Sequence, residues 1–142
     1  LDKALLGCIG ELAFQQHLSN LGIPFELDHT DFQSHHTDEF DVKVNGAKID
    51  IKVAKKTTAN PPSDNWTYGY PQEQHPETKD YVVVGWVDFN RKEVGFYGWI
   101  RGEQIVRFKV VTRNSYAKYP YLTPNHEFKW GCLTKDLNEI LK

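Results

Sequence analysis

The stretch Phe40-Asp41-Val42-Lys43-Val44-Asn45-Gly46-Ala47-Lys48-Ile49-Asp50-Ile51-Lys52-Val53 decides how this chain is read. Apolar and polar residues alternate on both sides of Asn45-Gly46, the dipeptide most favoured in a two-residue hairpin turn. A turn there pairs Val44 with Ala47, Lys43 with Lys48, Val42 with Ile49 and Asp41 with Asp50. Side chains alternate faces along a strand, so Asp50 and Lys52 share one face while Ile49, Ile51 and Val53 share the other. Asp41 and Asp50 then stand directly opposite, with Cβ atoms about 5 Å apart, and like charges so placed are destabilising. A cation held between them removes the conflict. Hard carboxylate oxygens suit Mg²⁺ or Mn²⁺. Lys52 adds a positive charge beside the pair, where it can orient a water and offset phosphate charge.

Outward from the hairpin, residues 3–20 read as a helix, with Leu5, Ile9 and Leu12 on one stripe and Leu6 and Ala13 extending it. Gly22 and Pro24 end it. Residues 24–28 suit a short edge strand and 29–39, with His29, His35 and His36, a solvated loop. The proline-rich excursion 57–78 holds a candidate strand at 65–70. Residues 81–89 form a strongly apolar, central strand, Asn90-Arg91-Lys92 turns it, and 94–100 returns. A short helix is expected over 101–108, irregular chain over 110–126, and a closing helix over 133–141 with Thr134 as N-cap. This is an α+β domain: a mixed sheet with flanking helices, spanning 1–142 as one unit.

Composition narrows the function classes. The two cysteines, Cys8 and Cys132, have no metal-ligand spacing, which argues against a zinc ribbon, an iron–sulfur cluster or a disulfide scaffold. No apolar run approaches the roughly 20 residues of a membrane span, and no secretory signal is evident. An intracellular setting, cytoplasmic or nucleoid-associated, is expected. There is no methionine, even at position 1, so we expect at least an initiator residue to precede Leu1. Net charge is −2, which excludes a uniform basic coat for nucleic acid. Its distribution is uneven: residues 1–42 hold one lysine and eight acidic residues, residues 43–142 sixteen basic and eleven acidic. An acidic third joined to a basic remainder suits a metal site beside an anion-binding surface.

On the first helix Glu11 has Cys8, Phe14 and Leu18 as neighbours, and a carboxylate among such side chains needs a partner or a metal. Glu11 on an opening helix, Asp41 on a strand and Asp50-Ile51-Lys52 on the next resemble the PD-(D/E)xK nuclease superfamily, with its restriction-endonuclease-like αβββαβ core. The likeness covers about residues 5–100. Phe40 stands where the name-giving proline would precede Asp41. The resemblance implies that Asp41, Asp50 and the Ile51 carbonyl ligate Mg²⁺ or Mn²⁺, that Glu11 does so directly or through water, and that Lys52 positions the attacking water. It also implies a 3′-hydroxyl and a 5′-phosphate as products.

The expected function is therefore a metal-dependent endodeoxyribonuclease. Lys55 and Lys56, just past the site, and Arg101, which opens a basic stretch with Arg107, Lys109 and Arg113, are candidate phosphate contacts. Tyr68 and Tyr70 are candidates for stacking on bases, whereas Trp66 is expected to pack. Double-strand cleavage by so small a chain requires a dimer or higher homo-oligomer. The alternatives are a non-cleaving nucleic-acid-binding module of the same fold and a carbohydrate-binding domain built on Trp66, Tyr68 and Tyr70. The latter leaves the opposed aspartates unexplained.

Overall fold

A computed structural model describes residues 3–28 and 40–141. The loop expected at 29–39, with its three histidines, lies outside the described residues. The chain is α+β. Helix α1 (Lys3–Asn20) is followed by β1 (Glu26–Leu27), β2 (Val42–Val44) and β3 (Ala47–Lys55). After β4 (Thr67–Pro71) come β5 (Tyr81–Asp88), β6 (Glu93–Arg101) and the single-turn α2 (Gly102–Ile105). Strands β7 (Val110–Arg113) and β8 (Pro120–Lys129) and helix α3 (Asn138–Leu141) complete the chain.

The main sheet is mixed, ordered β1-β2-β3-β5-β6. The hairpin register is the expected one: Val42 faces Ile49, Lys43 faces Lys48 and Val44 faces Ala47. Asn45 and Gly46 take positive φ, 50° and 82°, as a tight two-residue turn requires. β3 then runs parallel to β5, with Ile49 beside Tyr81 and Lys55 beside Val87. Parallel neighbours need a long crossover, and residues 56–80, with β4 in their midst, supply it.

One face of this sheet lies under α1. Phe14 and Leu18 pack there with Val42, Val44, Ile49, Ile51 and Val83. The buried stripe of α1 is thus Gly10, Phe14 and Leu18, not the expected Leu5, Ile9 and Leu12, of which Leu5 and Leu12 are exposed. The helix flanks the sheet, as expected. Gly10 explains the change of stripe, because a Cβ there would lie 2.8 Å from both methyls of Val53. Only glycine lets the helix come this close. We expect Gly10→Ala to destabilise the fold by about 1–3 kcal/mol, as overpacking does. Thermal melts check this.

The other face carries a second, three-stranded sheet, β4-β8-β7. Tyr70, Phe128 and Trp130 pack there against Val82, Val84 and Ile100. Its existence corrects the irregular chain expected over 110–126. Pro120 and Pro124 mask β8 in the sequence. The structure absorbs them by breaking the β7–β8 register between Val111 and Arg113. The closing helix is also shorter than expected. Thr134 exchanges backbone hydrogen bonds of 2.8 Å with Trp99 and so extends the edge of β6 instead of capping. Asp136 Oδ1 accepts from the Asn138 N–H and starts α3. Among the described residues no helix is long and apolar enough to cross a membrane.

Candidate metal centre

The β2–β3 ladder stops one residue short of the two aspartates, and that stop builds the site. The Asp41 N–H still donates to the Ile49 carbonyl at 3.0 Å. The chain then leaves the sheet, and the Asp41 side chain takes over: its Oδ2 accepts the Ile51 N–H at 2.6 Å. Lys48 turns its backbone N–H and C=O toward Asp80 on the β5 side. Ile49 and Ile51 therefore turn theirs the other way, and the Ile51 carbonyl lies along the open edge beside Asp41.

Asp50 points to the opposite face from Ile51 and is buried. Tyr70 donates its hydroxyl to Asp50 Oδ2 at 2.5 Å, and Lys52 Nζ stands 3.4 Å from the same oxygen. The Lys52 ammonium also sits 5.4 Å from the centre of the Tyr70 ring. Glu11, from α1 on the other face of the sheet, lies near enough to Asp41 to help raise its carboxyl, and it lines the same cleft as Lys52.

Burial, then the charge of Asp50 and the hydrogen bonds to Asp50 and Glu11, push the Asp41 carboxyl up to about 9. Burial would raise Asp50 too, but the Lys52 charge, the hydrogen bonds from Asp41 and Tyr70 and the charge of Lys79 outweigh it and hold Asp50 below its usual range. At neutral pH without metal the pair therefore holds one proton, on Asp41, and not the two opposed charges expected from the sequence. Burial and the Asp50 charge also keep the Tyr70 and Tyr68 phenols protonated.

A cleft of about 730 Å³ opens over the site, walled by Glu11, Ile51 and Lys52 on one side and by Tyr68, Tyr121 and Asn125 on the other. Among the described residues no group of three or more His, Cys, Asp or Glu side chains makes a ready metal cage. The donors at hand are two aspartate carboxylates and a backbone carbonyl, all hard oxygens. An ion such as Mg²⁺ is bound in this way, through one or two carboxylates with water and substrate completing the shell. A proton forced onto a carboxyl by burial and its neighbour's charge fits the same donor set, because a divalent ion can take its place.

Glu11, Asp41, Asp50, Ile51 and Lys52 thus come together, and Tyr68 lies in the cleft wall. Tyr70 does not meet solvent: it is 0 % exposed, so its role is to hold Asp50 and not to stack on a base. Trp66 and Tyr68 pack on Trp130 and Phe128 in the same layer, which removes the aromatic face on which a carbohydrate site was considered. Lys56 is also corrected. Its side chain is 6 % exposed, its ammonium lies 3.6 Å from Asp88 and it donates to the Thr58 carbonyl. Lys55, by contrast, is exposed at the end of β3, over the Phe89 ring. Arg101 is exposed at the end of β6, over the Tyr81 ring, and does not line the cleft. Lys79 and Asn125 were not anticipated. Nothing in the sequence sets Lys79 apart, and the flanking proline hides the strand that carries Asn125.

The two lysines yield a paired expectation. If the chain binds DNA, as the sequence leads us to expect, Lys55→Ala should flatten the salt dependence of that binding by about one unit of slope with no change in melting temperature. Lys56→Ala should leave the slope alone and lower the melting temperature, since it takes the ammonium from Asp88 Oδ2 and leaves that carboxylate only the Asn90 and Arg91 N–H groups on Oδ1. Salt titrations of binding and thermal melts separate the two.

The chain matches no family model, and no curated protein or solved structure matches it. Its function is read from the site alone.

Proposed function

We propose that the chain is a divalent-metal-dependent nuclease of the PD-(D/E)xK type that hydrolyses phosphodiester bonds in DNA. One observation carries this reading: Asp41, Asp50, Lys52 and Glu11, from three elements and both faces of the sheet, gather at the open edge of β3, where Glu11, Ile51 and Lys52 line one cleft. Asp41, Asp50 and the Ile51 carbonyl would hold Mg²⁺ or Mn²⁺, with Glu11 steadying Asp41 or bonding a coordinated water. When bound, such an ion supplies Lewis acidity to the phosphate and lowers the pKa of a water.

The chain's own groups do the rest. Tyr70 fixes Asp50 in one orientation. Lys52, held between Asp50 and the Tyr70 ring, directs its ammonium at the reacting phosphate, where it orients the incoming water and offsets the charge that builds on the phosphoryl oxygens. Water adds to phosphorus as the bond to the 3′ oxygen breaks. That oxygen leaves as a hydroxyl and the phosphate stays on the 5′ side. The reading goes with an intracellular place beside DNA, and with a second copy of the chain where both strands are cut.

Supercoiled plasmid incubated with Mg²⁺ or Mn²⁺ tests it. Nicking that EDTA stops is the expected result. Binding without nicking in either ion would overturn it in favour of a non-cleaving module.

A further inference from the structure

The cleft continues past the carboxylates along β4 and β8, and at that end the chemistry changes. Asn125 is 6 % exposed, and its Oδ1 has no hydrogen-bond partner. Buried polar atoms are nearly always satisfied, so this orphan acceptor, on a residue of the cleft wall, leaves room for a partner, water or ligand, supplied from the cleft. The surroundings keep it in place. Gly69 lies beneath: a Cβ there would sit 2.8 Å from Asn125 Nδ2 and from the Tyr121 hydroxyl, so any side chain at 69 would displace both. Asn114 Nδ2 donates to the Tyr121 hydroxyl at 2.9 Å and anchors that ring. Tyr119 stands edge-on to Tyr121, with centroids 5.6 Å apart and planes at 82°, and is 52 % exposed. A carboxamide and two tyrosine rings thus share a cleft with Lys52 and Glu11.

We propose that this end of the cleft holds an unpaired nucleobase, its edge on the Asn125 carboxamide and its face against the exposed ring of Tyr119, which Tyr121 backs edge-on, while the adjoining phosphate lies at Lys52. The inference rests on the nuclease reading and gives it a substrate class: single-stranded or locally unpaired nucleic acid, not continuous duplex. In a duplex the faces of the bases are stacked on one another. A base offers both a face to a tyrosine and an edge to a recessed carboxamide only when it is unpaired or extruded. A carboxamide carries both donor and acceptor, as base edges do. Tyrosine rings supply sequence-tolerant stacking.

Fluorescence anisotropy tests this, in EDTA so that nothing is cut. The probes are a short single-stranded DNA, its blunt duplex and an RNA strand of the same sequence. The parent should bind a single strand more tightly than the duplex. Asn125→Ala and Tyr119→Ala should each weaken single-strand binding about tenfold and duplex binding by no more than about twofold. Loss on the DNA strand or on the RNA strand supports the inference and tells which sugar the cleft accepts. Should Asn125→Ala not fold, Tyr119→Ala, at a surface position, decides alone. A parent that prefers duplex, or variants that bind single strands as the parent does, overturns the inference. Plasmid nicking is scored separately. Metal-dependent nicking without a single-strand preference removes this inference alone. A tyrosine-dependent single-strand preference without nicking supports it and removes only the nuclease reading.

Discussion

On the nuclease reading, Lys52→Ala should abolish plasmid nicking and keep metal binding, whereas Asp50→Asn should abolish both. The division follows from what each group touches. Asp50 is a buried oxygen donor held by Tyr70, so its loss removes a ligand. Lys52 contributes only charge and donors beside it, so its loss removes stabilisation of the phosphoryl oxygens and leaves the ion-holding oxygens in place. Removing one such donor costs a hundredfold or more in rate, about 10²–10³ in well-studied sites. Asparagine is chosen at position 50 because its amide still accepts the Tyr70 hydroxyl. Alanine would strand that hydroxyl in the core at about 1–3 kcal/mol. Nicking assays, Mn²⁺ titration followed by melting temperature, and far-UV circular dichroism to show an unchanged fold are the measurements. Full activity in either variant would sink the assignment.

The second large effect is on stability against pH. The folded Asp41 carboxyl titrates at about 9 and the unfolded one near its ordinary 3.8. Between those values the folded state carries a proton that the unfolded state lacks. The stability this proton confers is present in full below the unfolded value and is lost as pH rises through the folded one. For one proton the slope is up to about 1.4 kcal/mol per pH unit. Asp50, shifted down, acts only below its unfolded value, in the acid range, and does not oppose this loss. The metal-free parent should therefore melt at progressively lower temperature from pH 5 to pH 9. In Asp41→Asn the amide can accept the Ile51 N–H and donate to Asp50, as the protonated acid does, so its curve should be flat. The variant should melt near the parent at pH 5 and well above it at pH 8. Mn²⁺ should rescue the parent at pH 8, because an ion bound only to the folded state stabilises it by mass action, and should do little for the variant. A gap between parent and variant that is equal at both pH values would show that Asp41 is not the proton's site.

Some of this was legible in the sequence and some was not, for reasons that differ by residue. The Asn45-Gly46 turn permits one register, and that register alone brings Asp41 to Asp50. Alternation also says that Trp66, Tyr68 and Tyr70 share a face, yet not what covers it. Here a second sheet does, and Tyr70 becomes the post on which Asp50 rests. Lys55 and Lys56 look alike in the sequence, but one ends β3 in solvent and the other turns inward to an aspartate 32 residues away that no local pattern links to it. On α1 the most hydrophobic stripe is not the buried one, since the position of closest approach belongs to Gly10, which a count of apolar residues passes over. Asn125 escaped because prolines at 120 and 124 argue against a strand when ladders are assumed regular, and this ladder is not.

The place where β2 stops has one more effect, on how copies of the chain meet. From Ile51 onward, no strand among the described residues pairs with β3 on that side. Bare strand edges recruit other strands, and proteins guard them with charge. Here the guard is the reactive cluster itself: Asp41 occupies the first free N–H, Glu11 stands beside it, and Lys52 and Lys55 follow. An incoming strand would have to desolvate those groups to dock. On the proposed reading the residues that would cut a phosphodiester would also keep the sheet from growing, so a variant stripped of both Glu11 and Asp41 should lose the proposed chemistry and the protection against fibre-like association together.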